Sequence, residues 1–232
     1  MIPKTIHYCW FGGNPKPRLA EKCIASWKKY CPDYEIIEWN EENFDVCMNG
    51  YTRMCYEQKK YAFLSDYARL FVVARYGGVY FDTDVEVIRP IDALLENDAF
   101  YCFETPEYVA SGLGFGSAAQ GESILAMLKA YDFLLEGTEG VRVCPQLNTA
   151  ALVELGLKQD GSLQNTGDAL ILPADYMNPF NTATGVLKKT ANTVSIHWYS
   201  AAWLSPWKRF RSRMMRPLHR IFGIDAFKRF RR

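Results

Sequence analysis

Gly77-Gly78-Val79-Tyr80-Phe81-Asp82-Thr83-Asp84-Val85-Glu86-Val87 places acids inside an apolar stretch that reads as a strand. Burying an unpaired carboxylate is expensive, so acids are normally kept out of such a stretch. Side chains two apart in a strand share a face. Asp82, Asp84 and Glu86 are therefore expected on one face, with Phe81, Thr83, Val85 and Val87 on the other. A divalent cation is the simplest compensating charge. A half-exposed strand with a wet acidic side is the alternative.

Working outward, residues 61–76 read as a long helix with Phe63, Tyr67, Leu70, Phe71 and Ala74 as its core face. Gly77-Gly78 ends it. Ile6–Trp10 reads as a first strand running into the turn-rich Phe11-Gly12-Gly13-Asn14-Pro15. Leu19, Cys23, Ile24, Trp27 and Tyr30 recur at helical spacing, and Tyr34–Trp39 is a second strand. Further on, the pattern predicts a short turn at 91–95, strands at 99–104 and 194–198, and helices over 122–135 and 145–155. Strands alternating with helices indicate an α/β domain with a largely parallel sheet. Ligands of such sheets gather at the carboxyl ends of strands, which places Trp10–Gly13 and Asp82–Asp84 along one crevice. The Gly12-Gly13 pair lacks dinucleotide-fingerprint spacing, and no Walker-type loop occurs.

The 232 residues suit one domain with an appendage, and 49% hydrophobic and 15% aromatic residues make a globular composition. The formal net charge of +1 conceals segregation. Residues 206–232 carry ten Lys/Arg and one acid, while the preceding 205 residues carry seventeen basic and twenty-five acidic ones. Seven cysteines, with no Cys-x-x-Cys pair and no secretory signal ahead of them, read as reduced and mostly buried thiols of a cytosolic protein. His7, His197 and His219 lack zinc-type spacing, and no apolar run is long enough to span a bilayer.

Asp66 and Arg69 lie three apart on the long helix, hence on one face. In isolation they would be a surface ion pair, and His197-Trp198-Tyr199-Ser200-Ala201-Ala202-Trp203 would be a structural strand end. Ile2 to Gly13, then Ser65-Asp66-Tyr67-Ala68-Arg69, then Gly77 to Asp84, then His197 to Trp203 occur in that order. This ordered set resembles the glycosyltransferase family whose sugar-binding region contains a DXD motif. That family includes capsular polysaccharide enzymes and yeast-type mannosyltransferases and, more distantly, the glucosylating bacterial toxins. The resemblance spans roughly residues 1–205.

The resemblance implies a GT-A nucleotide-sugar-binding domain with a mostly parallel central sheet. It implies that Trp10 stacks on the donor base. Ser65, Asp66 and Arg69 would hold ribose and donor sugar, with Tyr80 lining the pocket. Asp84 would bind the metal directly, and Asp82 would bridge metal or water and ribose. His197 would complete the metal shell, Ser200 would grip the diphosphate and Trp203 would close over it. Pro145-Gln146-Leu147-Asn148 resembles an acceptor-side or sugar-side loop. A divalent ion beside a departing nucleoside diphosphate neutralises growing charge. Aspartate oxygens suit Mn²⁺ or Mg²⁺, and a histidine nitrogen tilts the choice towards Mn²⁺. Asp82, Asp84 and Arg69 are the expected catalytic residues. Relatives retain anomeric configuration, and front-face substitution is favoured here because no nucleophile stands out. Glu104 and Asp175 remain open as nucleophile or base. The expected donor is a UDP-sugar, with galactose first and then glucose or N-acetylglucosamine. The expected acceptor is a saccharide or lipid-linked oligosaccharide in surface polysaccharide synthesis. A catalytically silent sugar- or metal-binding module, and a metal-dependent nucleotidyltransferase or phosphodiesterase, are the rival classes.

In the tail, Trp207, Phe210, Met214, Leu218 and Ile221 fall on one helical arc, with Lys208, Arg209, Arg213, Arg216 and Arg220 largely opposite. This is the pattern of a helix lying in an anionic membrane surface. Packing on the acidic body is the alternative, and nothing beyond the charge suggests nucleic acid. Pro217 predicts two short helices. The expected organisation is a domain over 1–205 and an amphipathic tail over 206–232, located in the cytoplasm at the inner face of the cell membrane.

Overall fold

The structure is a computed structural model that describes residues 1–200 and 206–223. Its first half alternates as the sequence predicts. Strand β1 (Thr5–Cys9) is followed by helix α1 (Arg18–Tyr30), strand β2 (Glu35–Trp39) and helices α2 (Gly50–Glu57) and α3 (Tyr61–Tyr76). Then come β3 (Gly78–Tyr80), β4 (Val85–Val87), β5 (Ala99–Thr105), β6 (Tyr108–Val109) and β7 (Phe115–Ser117). Helices α4 (Glu122–Lys129) and α5 (Cys144–Glu154) precede strands β8 (Gln164–Thr166) and β9 (Ala169–Leu172). The hairpin β10 (Phe180–Asn181) and β11 (Val186–Leu187), strand β12 (Ser195–His197) and helix α6 (Pro206–Phe222) complete the described chain.

The main sheet runs β2-β1-β3-β7-β5-β9-β8, with β6 paired to β5. Strands β1, β2 and β3 are parallel, as are β5 and β9. Strand β7 runs antiparallel to both β3 and β5. The loop from β5 to β7 is too short for a crossover helix, so the chain returns antiparallel. Aliphatic and aromatic side chains cover both faces. Helices α2, α3, α4 and α5 lie over a core containing Tyr51, Leu70 and Tyr101, whereas α1 and β4 cover one containing Trp27, Phe81 and Phe100.

The acid-bearing stretch is not one strand. Strand β3 ends at Tyr80, and Asp82–Asp84 form a turn closed by the Val85 amide donating to the Asp82 carbonyl at 2.9 Å. Strand β4 then leaves the main sheet and pairs antiparallel with β12. The buried indole of Trp27 on α1 donates to the Val85 carbonyl at 2.8 Å and pins that exit. Glu86 consequently does not share a face with the pair: its carboxylate takes Lys22 and the Trp198 indole, each at 2.8 Å. A continuous strand would have carried carboxylates into the sheet interior, and the turn delivers them to its edge instead.

Helix α3 matches its predicted bounds because its sixteen residues contain no breaker until Gly77, whose φ of +68° is left-handed. Its core face is wider than predicted. Leu64, Val72 and Val73 are buried while Phe63 and Phe71 are only partly so, since α3 has the sheet on one side and α2 and α4 on the other. The predicted helix over 122–135 stops at Lys129 and resumes as a single 3₁₀ turn at Asp132–Leu134. Helix α2 was not predicted; its start is a capping box between Asn49 and Thr52. The seven cysteines are unpaired, and all but Cys47 are buried.

Helix α6 runs unbroken through Pro217, against the expected pair of helices. Proline removes one helical hydrogen bond, but the surrounding turns are held from outside. Arg216 Nε donates to the Thr182 carbonyl at 3.2 Å, His219 Nδ1 to Ala183 at 3.0 Å and Arg220 Nε to Thr184 at 2.6 Å. Arg216 and Arg220 thus face the β10–β11 turn rather than standing free opposite the apolar arc. Trp207, Phe210, Met214, Leu218 and Ile221 are exposed. No helix among the described residues is long and apolar enough to cross a membrane.

Candidate active site

The parallel register of β1 and β3 pairs Ile6 with Val79 and His7 with Tyr80, so Trp10 and Asp82–Asp84 leave the sheet at the same edge. Antiparallel pairing of β12 with β4 sets His197 opposite Val85. That brings a histidine from the far end of the chain beside the acid pair. One ligand atom from each of Asp82, Asp84 and His197 lies within 4.8 Å of the others. His197 Nε2 is 3.0 Å from Asp84 Oδ1. The Ser200 amide donates to Asp84 Oδ2 at 2.6 Å, and the Trp198 amide donates to the Asp84 carbonyl at 2.9 Å.

Behind this trio lies a buried guanidinium. Arg69 Nη2 meets Asp66 Oδ1 at 2.7 Å and Asp82 Oδ1 at 3.2 Å, while Nε donates to the Ser65 carbonyl at 3.1 Å. The Asp66–Arg69 pair is therefore not a surface bridge: the Arg69 side chain is 4% exposed. Tyr80 donates its hydroxyl to Asp82 Oδ1 at 3.0 Å, and its ring lies beneath the guanidinium at 5.0 Å. Arg69 Nη1 and the Asn148 amide both reach the Ser111 hydroxyl, at 3.4 and 2.9 Å. The loosely matched 145–148 segment thus ends up beside Arg69.

Electrostatics separate the two aspartates. Burial, with help from Asp84, raises Asp82 above the ordinary carboxylate value, and Arg69 opposes this. Burial acts on Asp84 too, but His197 and Ser200 overcome it and hold Asp84 well below that range. Burial works against a charged His197, yet Asp84 wins and raises it. Asp66 is pushed up to about 6 by burial, with Arg69 opposing. One strongly ionised carboxylate, a second beside it and an imidazole make an oxygen-and-nitrogen donor set that fits Mn²⁺ or Mg²⁺. His197 Nδ1 is buried and has no hydrogen-bond partner among the described residues.

The remaining sequence candidates divide. Trp10 is half-buried, its indole donating to the Asn14 carbonyl at 2.6 Å with the Lys16 ammonium 5.8 Å from its ring. Ser65 is half-buried on α3. Trp203 lies outside the described residues. Asp175 accepts from Thr190 at 2.7 Å and braces the 190–193 turn, while Glu104 accepts the Tyr199 phenol at 2.9 Å. Sequence reasoning missed Ser111 and Gly112. The small-residue run Ala110-Ser111-Gly112-Leu113-Gly114 was the available signal.

Gly112 gives a direct test of how tightly the acids are held. A β-carbon there would lie 2.7 Å from Asp82 Oδ2 and 3.2 Å from Arg69 Nη1. Gly112→Ala is expected to weaken Mn²⁺ binding about tenfold by displacing Asp82, at a stability cost of roughly 1–3 kcal/mol. Calorimetric Mn²⁺ titration alongside thermal unfolding measures both.

An α/β sheet of this order, with acids at the edge where β3 ends, is the GT-A type of fold. Among solved structures the PaToxG glycosyltransferase shares that fold, with a TM-score of 0.54 at 18% identity over 66% of this chain and 69% of that one. Residues 17–101 match the family described as glycosyltransferase sugar-binding region containing DXD motif. Two curated relatives come from Schizosaccharomyces pombe. Inositol phosphoceramide mannosyltransferase 3 is 27% identical over 143 residues, 58% of this chain and 36% of the relative. Inositol phosphoceramide mannosyltransferase 1 is 30% identical over 110 residues, 43% of this chain and 33% of the relative. The match thus spans about a third of each relative's length.

Proposed function

We propose that this protein is a metal-dependent, retaining glycosyltransferase that moves a hexose from a nucleoside diphosphate sugar to a saccharide or lipid-linked acceptor. The convergence of Asp82, Asp84 and His197 within 4.8 Å at the sheet edge carries this reading. The Asp66–Arg69 pair immediately behind them supports it. Asp82, Asp84 and His197 would hold the cation, which when bound supplies positive charge against the departing diphosphate. Trp10 offers an aromatic face to the donor base. Asp66 accepts hydroxyl protons from ribose or donor sugar, and Arg69 keeps Asp82 ionised and aimed at the site. Tyr80 fixes the Asp82 rotamer, while Ser200 would grip the diphosphate. Front-face substitution, with the leaving diphosphate taking the acceptor proton, suits a site in which Glu104 is engaged by Tyr199 and Asp175 by Thr190.

Nothing in the geometry selects galactose or a uridine base. The names of the curated relatives make mannose the first sugar to try. A screen of UDP-galactose, UDP-glucose, UDP-N-acetylglucosamine and GDP-mannose, following nucleotide release with Mn²⁺ present, tests the reading. Release of a nucleoside diphosphate supports it. Pyrophosphate or a monophosphate would assign a nucleotidyltransferase or phosphodiesterase, and no turnover with any donor would leave a binding module.

The tail belongs to the same proposal. Exposed Trp207, Phe210, Met214 and Ile221 on α6, with the surplus of basic residues after 205, suit an anionic bilayer surface. This would place the 1–205 domain at the cytoplasmic face of a membrane bearing a lipid-linked acceptor. Truncation after Ser205 is expected to abolish co-sedimentation with phosphatidylserine vesicles, because each Lys or Arg near an anionic surface is worth about 1 kcal/mol and many are lost together, while donor hydrolysis stays within about twofold. Unchanged sedimentation would refute the membrane assignment.

A further inference from the structure

Tyr199 has a φ of +49°, in the left-handed region that an aromatic residue seldom occupies. Such backbone persists where the surroundings over-determine it, and it gathers at functional sites. Here the surroundings are specific. The Tyr199 hydroxyl donates to Glu104 Oε1 at 2.9 Å, and Glu104 is itself fixed at the end of β5 by the Asn178 amide, which donates to its carbonyl at 3.0 Å. The Tyr199 ring packs on the His197 imidazole with centroids 3.9 Å apart. The residues on either side of Tyr199 both bind Asp84, Trp198 through the carbonyl and Ser200 through the carboxylate.

From this geometry we infer that Tyr199 is a positioning residue for the cation site, latched by Glu104. A left-handed residue between two amides turns both of them towards one aspartate, and the anchored ring backs the imidazole that meets the other carboxylate oxygen. Without the latch, Tyr199 relaxes to extended backbone, the Ser200 amide swings off Asp84 and the His197 ring loses its support. Glu104 therefore acts through Tyr199 and needs no contact with substrate. The inference rests on the cation reading of Asp82, Asp84 and His197.

The test uses the full chain with Tyr199→Phe, Glu104→Ala and Glu104→Gln. In metal-free protein, hydrogen exchange of the Ser200 amide by NMR is expected to accelerate about tenfold in the first two variants, the scale of one lost hydrogen bond. Exchange in Glu104→Gln stays near wild type, because the amide oxygen still accepts the phenol. Calorimetric Mn²⁺ titration is expected to show about tenfold weaker binding in the same two variants, as for other outer-shell partners. The double variant Tyr199→Phe/Glu104→Ala should be no weaker than either single one. Glu104→Ala breaks the same bond from the other side and serves if Tyr199→Phe does not fold. Unchanged Ser200 exchange in both variants would overturn the latch. Latch-dependent exchange in a wild type that binds no Mn²⁺ would uphold the latch and overturn the cation reading alone.

Discussion

Asp84→Asn is expected to lower Mn²⁺-dependent release of nucleoside diphosphate from a sugar donor by roughly a thousandfold, the scale of several kcal/mol of lost charge stabilisation. Asp84 is the more strongly ionised of the two aspartates, because His197 and Ser200 both favour its charged form. An amide is nearly isosteric and its oxygen still accepts the Ser200 amide. The substitution thus removes charge with little change of shape. Far-ultraviolet circular dichroism should remain close to wild type, the unfolding midpoint should fall because the buried pairing with His197 loses its anion, and calorimetry detects little Mn²⁺ binding. Turnover within tenfold of wild type would remove Asp84 from the proposed catalytic role.

Arg69→Met should act on stability first. The guanidinium is buried between Asp66 and Asp82, and methionine fills similar space without charge. Breaking a buried ion pair from one side costs about 3–5 kcal/mol, since the abandoned carboxylates stay desolvated. For a chain of this size that lowers the unfolding midpoint by roughly 10 °C. Asp66 already stands at about 6 in the folded protein, above its unfolded value of 3.8, and loss of Arg69 removes the charge opposing that rise. A group whose folded value is raised binds more protons folded than unfolded within that window, so folding gains as pH falls through it. The deficit of Arg69→Met relative to wild type should therefore be smaller at pH 5 than at pH 7. Urea titrations at the two pH values measure it, and an equal deficit would deny Asp66 its desolvated setting.

Much of the site was legible in local pattern. Asp66 and Arg69 had to share a face because an α-helix repeats every 3.6 residues, and a sixteen-residue run ending at two glycines could form little else. Asp82 and Asp84 announced themselves as acids where apolar residues were due. Glu86 was misplaced because alternation assumes one continuous strand, whereas the chain turns at the acids and changes sheets. The bonds of Arg216 and Arg220 to the β10–β11 turn were not foreseen, because a helical wheel places them opposite the apolar arc and carries no information about the hairpin that receives them.

The order of strands and helices, the helix that presents Asp66 and Arg69, and the acids themselves follow from residue periodicity, which acts over a few positions. The union of Asp84 with His197 and Ser200, 113 and 116 positions away, follows from β12 pairing with β4. The approach of Ser111 to Arg69 depends instead on how β5 returns through β6 to β7. Those meetings are set by backbone hydrogen bonding between distant strands and by which indole pins which carbonyl. Chain packing alone decides them, because no local energy term relates residues so far apart.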